Sequence, residues 1–320
     1  MCNKISIVCA TDDNYAPYCG IMLTSVFENN RDREVSAYIL TDKPFQAKNK
    51  RKFRRLSKKY GAEINFVMVH DDFFKQFPIK DEHLSICTYY RLYAEELLPK
   101  DLDKVLYLDC DIVVDRPIGE LFDMDWDGYA VGAVTDVSSG QTKIFEGLGY
   151  DVRKGYFNAG VLFINLGYWR SHDIGRKCID YLISNFGHLH FYDQCVLNAV
   201  NWNLKRNLPV TFNYQIQMQD PWFFDTLDEM TKKDILGTDS PHIIHYTGNT
   251  KPWMTWYYPY PYNKEWHKYK RKSPWWYMMD KLPKGTPLKD FIKRYFLWPL
   301  GIMVHGPRSI FTEQQDYNPI

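Results

Sequence analysis

No apolar run in this 320-residue chain approaches the ~20 residues that a membrane-spanning helix requires. The apolar stretch at the start is too short, and too soon interrupted by Asp12-Asp13, for a secretory signal. There is no N-x-[ST] glycosylation acceptor and no C-x-x-C pair. The seven cysteines (2, 9, 19, 87, 110, 178, 195) are scattered, several of them inside apolar segments, which fits reduced thiols and excludes a disulfide framework or a zinc cluster. These absences predict a protein made and kept in the cytosol. Neither G-x-G-x-x-G nor G-x-x-x-x-G-K-[ST] is present, and Gly147-Leu148-Gly149 lacks the third glycine, so dinucleotide oxidoreductases and P-loop enzymes are disfavoured. No internal repeat or low-complexity linker divides the chain.

What is present is an alternation of short apolar runs with amphipathic stretches. Residues 5–10 are rich in β-branched side chains and end on Thr11-Asp12-Asp13-Asn14, which predicts a strand opening onto a polar loop. Residues 18–30 repeat at helical spacing, 35–40 read as a second strand, 45–60 as a strongly basic surface helix, and 62–69 as a third strand. This order predicts an α/β fold with right-handed crossovers and a mostly parallel central sheet flanked by helices. Further helices are expected over 86–98, 173–186 and 192–200, and strands over 161–165 and 242–246, with only short strands or turns in 201–240.

Between residues 105 and 114 a buried-looking strand pattern is interrupted by Asp109-Cys110-Asp111. Ionised carboxylates in such a place need donors or cations to offset desolvation, and a divalent metal is the commonest partner able to engage both. In sheets of this kind ligands collect at the carboxyl ends of the strands, so residues 12–14 and 109–111 should face one crevice. His245, at a strand end shortly before Gly248, is the candidate third ligand; a hydrogen-bonded structural histidine is its plain alternative. Two carboxylates and an imidazole suit manganese or magnesium bound to phosphate oxygens. Lys251 and Arg91 could neutralise a diphosphate or simply be solvated. Asp193-Gln194 could cap a helix, and Asn158 could shape a turn.

Six segments in this order, ATDDNY (10–15), TYYRL (88–92), LYLDCDIVV (106–114), FNAGVLFIN (157–165), YDQ (192–194) and HYTGNTKPW (245–253), resemble glycosyltransferase family 8. Within it they are similar to the bacterial galactosyl- and glucosyltransferases that build lipopolysaccharide and other surface glycans. The resemblance spans roughly residues 4–255. It implies a GT-A type nucleotide-sugar-binding domain over residues 1–260 that uses a UDP-hexose and manganese, or magnesium, and transfers galactose or glucose with retention. It also implies residue roles. Ala10, Asp12 and Asn14 would hold uracil and ribose, with Tyr15 near the base; Asp109, Asp111 and His245 would ligate the metal. Gly248 and Lys251 would contact the diphosphate. Arg91, Asn158, Asp193 and Gln194 would surround the donor sugar as the catalytic group, and Thr88 would lie towards the acceptor. Cys110, inside the acidic pair, should turn its small thiol into the core. Gln194 is a poor nucleophile, so same-face attack guided by the departing phosphate is favoured over a covalent intermediate on Asp193. Residues 136–155, which should cover the donor, carry no recognisable motif and leave the acceptor open.

The formal net charge of +1 hides an asymmetry. Residues 264–294 hold ten Lys/Arg against three acids, a surplus of seven that leaves the rest of the chain at minus six. Aromatic residues accompany these cations, including Trp275-Trp276-Tyr277 and Phe296-Leu297-Trp298. Together they predict an extension over 261–320 that associates with an anionic membrane, ahead of the alternative that it simply packs on the body, with nucleic acid not expected as a partner. A metal-dependent UDP-sugar hydrolase and a self-glycosylating priming protein are the alternative functions.

Overall fold

A computed structural model describes residues 4–77, 86–249, 251–254 and 262–278. Two βα units and a third strand open the chain: β1 (Lys4–Ala10), α1 (Ala16–Asn29), β2 (Glu34–Thr41), α2 (Ala47–Tyr60) and β3 (Glu63–Met68). β1 and β2 are buried along almost their whole length, as near-continuous apolar strands of a covered parallel sheet must be. They are joined by β4 (Lys104–Leu108), β6 (Val131–Thr135), β7 (Phe157–Asn165) and β8 (Lys205–Asn207) in a seven-stranded sheet of order β3-β2-β1-β4-β7-β6-β8. Only β7 runs against the other strands. Its reversal brings its first residues, rather than its last, to the edge where the other strands end.

A second sheet of three short strands has the order β5-β10-β9, from β5 (Ile112–Val114), β9 (Tyr214–Gln215) and β10 (Ile243–His245). The apolar run 105–114 is therefore two strands in two sheets, not one strand carrying an acidic interruption. Asp109 still belongs to the first sheet, its N–H donating to the Gly160 carbonyl at 2.8 Å, while the Asp111 carbonyl accepts from Tyr246 N–H of the second at 3.0 Å. Cys110 lies at the turn between them, buried against Ala10, so the expectation for its thiol holds. None of the six cysteines among the described residues forms a disulfide, and all six are buried.

Three other expectations change. The segment expected as an α-helix over 86–98 is a 3-10 helix, Ile86–Tyr93, followed by a single α-turn, Ala94–Leu97. Asn158 shapes no turn but lies within β7. Within 201–240 the eight-residue helix Glu229–Leu236 forms, capped by Asp228, whose carboxylate accepts from the N–H groups of Met230 and Thr231.

The described start of the C-terminal extension shares the core of the body. Helix Asn263–Lys272 lies against α1 and buries Trp266 and Tyr269, and Trp275 follows them into the same cluster. Gly20 permits this: a Cβ there would stand 2.0 Å from the Trp275 ring. α1 is consequently covered on both sides, with eleven residues buried. Two of the extension's cations are paired with the body, Lys268 with Asp115 and Lys272 with Glu28, each at 2.8 Å. Lys281, Lys284, Lys289, Lys293 and Arg294, with Phe296 and Trp298, lie outside the described residues. No helix among the described residues is long and apolar enough to cross a membrane.

Glu28 of α1 ties three helices together, accepting from Lys272, from Tyr60 of α2 and from Arg31. Burial alone would raise its pKa, but these donors outweigh it and hold the carboxyl at about 2, below the ordinary 4.5. A depressed carboxylate stabilises the fold above its unfolded pKa and loses that contribution as pH falls through the folded value. Glu28→Gln should thus lower stability at neutral pH by about 1 kcal/mol. The gap in melting temperature between variant and native chain should then close as pH falls from about 4.5 to about 2. A gap independent of pH would refute the linkage.

Candidate active site

Where β1, β4, β6 and β10 end and β7 begins, the two sheets enclose a cleft of about 780 Å³. Its lining includes all fifteen residues expected from the sequence: Ala10, Asp12, Asn14, Tyr15, Thr88, Arg91, Asp109, Cys110, Asp111, Asn158, Asp193, Gln194, His245, Gly248 and Lys251.

Asp109, Asp111 and His245 each offer a ligand atom, and these atoms lie within 4.8 Å of one another. The three residues come from the first sheet, the turn and the second sheet. Asp111 faces His245 Nε2 at 3.4 Å and Lys251 Nζ at 2.5 Å. Burial would raise the Asp111 carboxyl, but Lys251 and His245 hold it well below the usual carboxylate range, so it is anionic. Gly160 makes room for the cluster: a Cβ there would sit 2.2 Å from His245 Cε1 and 2.7 Å from Asp109 Oδ2. The donor set, two oxygens and an imidazole nitrogen around a gap in the packing, fits a divalent cation such as manganese or magnesium.

The tautomer of His245 is set by a relay that the sequence did not announce. Asp136, in the loop after β6, accepts from Ser138, from Asn158 Nδ2 at 2.9 Å and from Gln194 Nε2 at 3.1 Å. Because a carboxylate only accepts, these bonds fix both amide orientations. Asn158 Oδ1 then takes a bond from Asn213 Nδ2 at 2.9 Å, and Asn213 Oδ1 faces His245 Nδ1 at 3.0 Å. An amide oxygen cannot donate, so Nδ1 carries a proton, and Nε2 is the ring nitrogen left facing Asp111 in the cluster. Gln215 of β9 clamps the Asp136 loop, donating to the Thr135 carbonyl and accepting from Val137 N–H. Asp136 lacks a motif of its own; its one signal is an acidic residue directly after an apolar strand, the pattern that also marks Asp109.

On the other side of Asp109 stands Arg91. In a 3-10 helix residues three apart eclipse, so Thr88 and Arg91 share one face. Arg91 reaches Asp109 at 2.8 Å, Asp193 at 3.0 Å and the Ala159 carbonyl at 2.6 Å, with its guanidinium 4.1 Å above the Tyr107 ring. Thr88 donates to Asp193 at 2.6 Å. Burial outweighs both partners at Asp193 and raises its pKa. Asp193 and Gln194 do not cap their helix, Tyr192–Asn201: no side chain caps it, and Tyr192 enters at φ 41, a costly conformation for a non-glycine residue. Gln194 is occupied at both ends, its Oε1 accepting from Ala159 N–H at 2.9 Å.

The far end of the cleft is made by the loop after β1. Asp12 accepts from Tyr15 N–H at 2.9 Å and from Asn14 at 3.4 Å. Tyr15 packs edge-on to Tyr18 and Trp253. Its phenol is pushed up to about 12, by burial first and by Asp111 second, so it stays neutral. Trp253, stacked on Tyr18 at 3.9 Å, anchors the segment that carries Gly248 and Lys251. Beside Gly248 the buried Thr247 hydroxyl has no hydrogen-bond partner among the described residues.

This architecture is the GT-A type α/β fold of sugar-transferring enzymes. It matches the crystal structure of galactosyltransferase LgtC in complex with donor and acceptor sugar analogs, with a TM-score of 0.74 and 28% identity over 84% of this chain and 96% of that one. The family model described as glycosyl transferase family 8 matches residues 6–257, and the chain belongs to that family. Its relatives include a lipopolysaccharide 1,2-glucosyltransferase of Escherichia coli strain K12, 30% identical over 91% of this chain and 84% of that protein. General stress protein A of Bacillus subtilis is 28% identical over 84% of this chain and 94% of its own length. The protein is a glycosyltransferase.

Gly160→Ala tests the cluster without touching a ligand. The added methyl must push His245 or Asp109 aside, so Mn²⁺ affinity, read by the loss of the free-ion paramagnetic resonance signal, should fall about tenfold or more. Unchanged Mn²⁺ binding in a folded variant would show that the three side chains do not act as one site.

Proposed function

We propose that the protein moves a hexose, galactose or glucose, from a UDP-sugar to a cell-surface glycan or glycolipid, with retention of configuration and with Mn²⁺ or Mg²⁺ held by Asp109, Asp111 and His245. The observation that carries this reading is the approach of those three ligand atoms within 4.8 Å, with Lys251 bonded to one of them. Kinship with proteins named lipopolysaccharide 1,2-glucosyltransferase, from Escherichia coli, and lipopolysaccharide 1,3-galactosyltransferase, from Salmonella typhimurium, supports a hexose as cargo and a glycolipid as acceptor. The reaction belongs at the cytoplasmic face of the membrane, with the extension 261–320 as a membrane contact.

Cleavage of the bond from sugar to diphosphate leaves negative charge on the nucleotide. A bound divalent cation stabilises that charge electrostatically. Lys251 adds a second positive charge at the same end, and the Thr247 hydroxyl beside Gly248, unbonded among the described residues, offers a donor to phosphate oxygens. Ala10, Asp12 and Asn14 take the uracil and ribose, against the neutral ring of Tyr15. Arg91, Asn158, Asp193 and Gln194 surround the sugar. The carboxylate of Asp193 is engaged by Thr88 and Arg91, and both ends of the Gln194 amide are bonded. Neither is poised to form a covalent sugar adduct, which supports attack from the face that the UDP leaves.

Arg91 is a poor residue for testing this, because its removal strands two carboxylates, a cost of about 3–5 kcal/mol that would confound activity with folding. Asp109→Asn and Asp111→Asn are cleaner. Each should lower transfer from UDP-galactose or UDP-glucose by about 10²–10³-fold and abolish Mn²⁺ binding. The product anomer, assigned by NMR, should match that of the donor. Metal-dependent transfer surviving in either variant would sink the ligand assignment. UDP release without an acceptor would point to hydrolysis, and hexose mass added to the chain itself to self-glycosylation.

A further inference from the structure

The function proposed above makes no use of α2. Its fourteen residues carry eight Lys/Arg and no acid, and only Asn49, Phe53 and Leu56 are buried. Like charges recur at spacings of three and four, as between Arg51 and Arg54 or Arg54 and Lys58, which destabilises a helix. The fold does not offset this repulsion. Elsewhere surface cations find carboxylates: Arg31 with Glu28, Lys100 with Glu96, Arg176 with Asp180, Lys268 with Asp115. Among the described residues no carboxylate pairs with any cation of α2. Lys59 donates to the Lys272 carbonyl, and Lys52 lies over the rings of Trp275 and Tyr277 at 5.2 and 4.8 Å.

Those contacts lead residues 272–277 along α2 from its last turn back to its first half, where Trp275 donates to Asn49. Trp275 is buried, but Trp276 and Tyr277 are 65% and 57% exposed beside the basic helix. From this point the chain continues into residues 279–320, which hold five more Lys/Arg among the first sixteen. α2 also begins at the rim of the donor cleft, since Asp13 accepts from Gln46 N–H and from Asn49.

We propose that the exposed face of α2, flanked by Trp276 and Tyr277, is a docking surface for an anionic phospholipid bilayer. Unpaired cations meet the headgroup charge, and the two aromatic side chains, apolar in body and polar at the tip, suit the interfacial layer. The surface is a convex helix face with its aromatics at one edge, not a groove with successive stacking platforms, and this favours a membrane over single-stranded nucleic acid. Docked in this way, the protein would hold the mouth of its cleft close to the bilayer. The inference does not depend on the identity of the donor, and its charges lie in the first sixty residues of the chain, with Trp276 and Tyr277 contributed by the start of the extension.

The test uses the full chain with its extension intact. R51Q/R54Q/R55Q/K58Q removes four exposed charges and relieves helix repulsion, so its melting temperature should equal or exceed that of the native chain. Co-sedimentation with vesicles of phosphatidylcholine containing phosphatidylglycerol should weaken at least tenfold, and Trp276→Ala should weaken it further. Binding of the native chain should fall as salt rises. Unchanged vesicle binding by the quadruple variant would overturn the proposal and leave the extension as the membrane contact. Loss of oligonucleotide binding with vesicle binding intact would overturn it in favour of nucleic acid.

Discussion

The structure depends on a chain that changes sheets between two carboxylates. Asp109 is bonded through its backbone to Gly160 of the seven-stranded sheet, and Asp111 to Tyr246 of the three-stranded one. Because each acid is bonded to a different sheet, its orientation is held by that sheet as well as by the turn at Cys110 that joins the two. His245, at the end of the central strand of the small sheet, completes the cluster from the second side. Cys110 at the turn has to be small and tolerant of burial, since it fills the seam against Ala10. A ligand set anchored on two packed sheets needs little rearrangement to bind a cation, and this is the form of preorganisation that electrostatic catalysis requires.

The same seam explains why so many amides line the cleft. Asn158, Asn213, Gln194 and Gln215 come from β7, the segment before β9, the helix at 192–201 and β9. Each uses both ends of its amide, and the direction of the network is dictated by Asp136, which can only accept. Its consequence is chemical: a histidine whose Nδ1 proton is held by Asn213 turns Nε2, its other potential ligand atom, to the cluster. Buried polar groups this well satisfied rigidify their surroundings, whereas a single missing partner would leave an expensive unpaired donor.

Much of this was legible in the chain before any coordinates. The alternation of apolar runs and amphipathic stretches identified the parallel βα units, and Asp109-Cys110-Asp111 marked the place where carboxylates interrupt a buried pattern. Other features left no usable trace. β5, β9 and β10 are two or three residues long, too short for a period of two to register, so the run 105–114 read as one strand. The reversal of β7 is a long-range pairing that local pattern does not encode, and Asn158 therefore looked like a turn residue. Asp136 and Asn213 act through partners distant in the chain. The 3-10 winding of 86–93 moves Thr88 and Arg91 onto one face, a detail that helical spacing alone does not separate from an α-helix. The helix at 229–236 was signalled by its capping Asp228 and overlooked amid irregular neighbours.

Charge balance then separates two kinds of cation. Arg91 and Lys251 are held by carboxylates in and around the cleft, at 2.8 and 2.5 Å, so their charge is spent in the site until a ligand competes for it. Burial makes such pairs strong in geometry and nearly neutral in net stability, which suits positioning rather than long-range attraction. The cations of α2 are the opposite case: mutually repelling, mostly exposed and without acidic partners among the described residues, they project a field into solvent. The +1 formal charge of the whole chain is thus a sum over regions with different roles. An acidic interior seam is built to be neutralised by a cation and its ligand, and a basic outer helix is left open to an anionic surface.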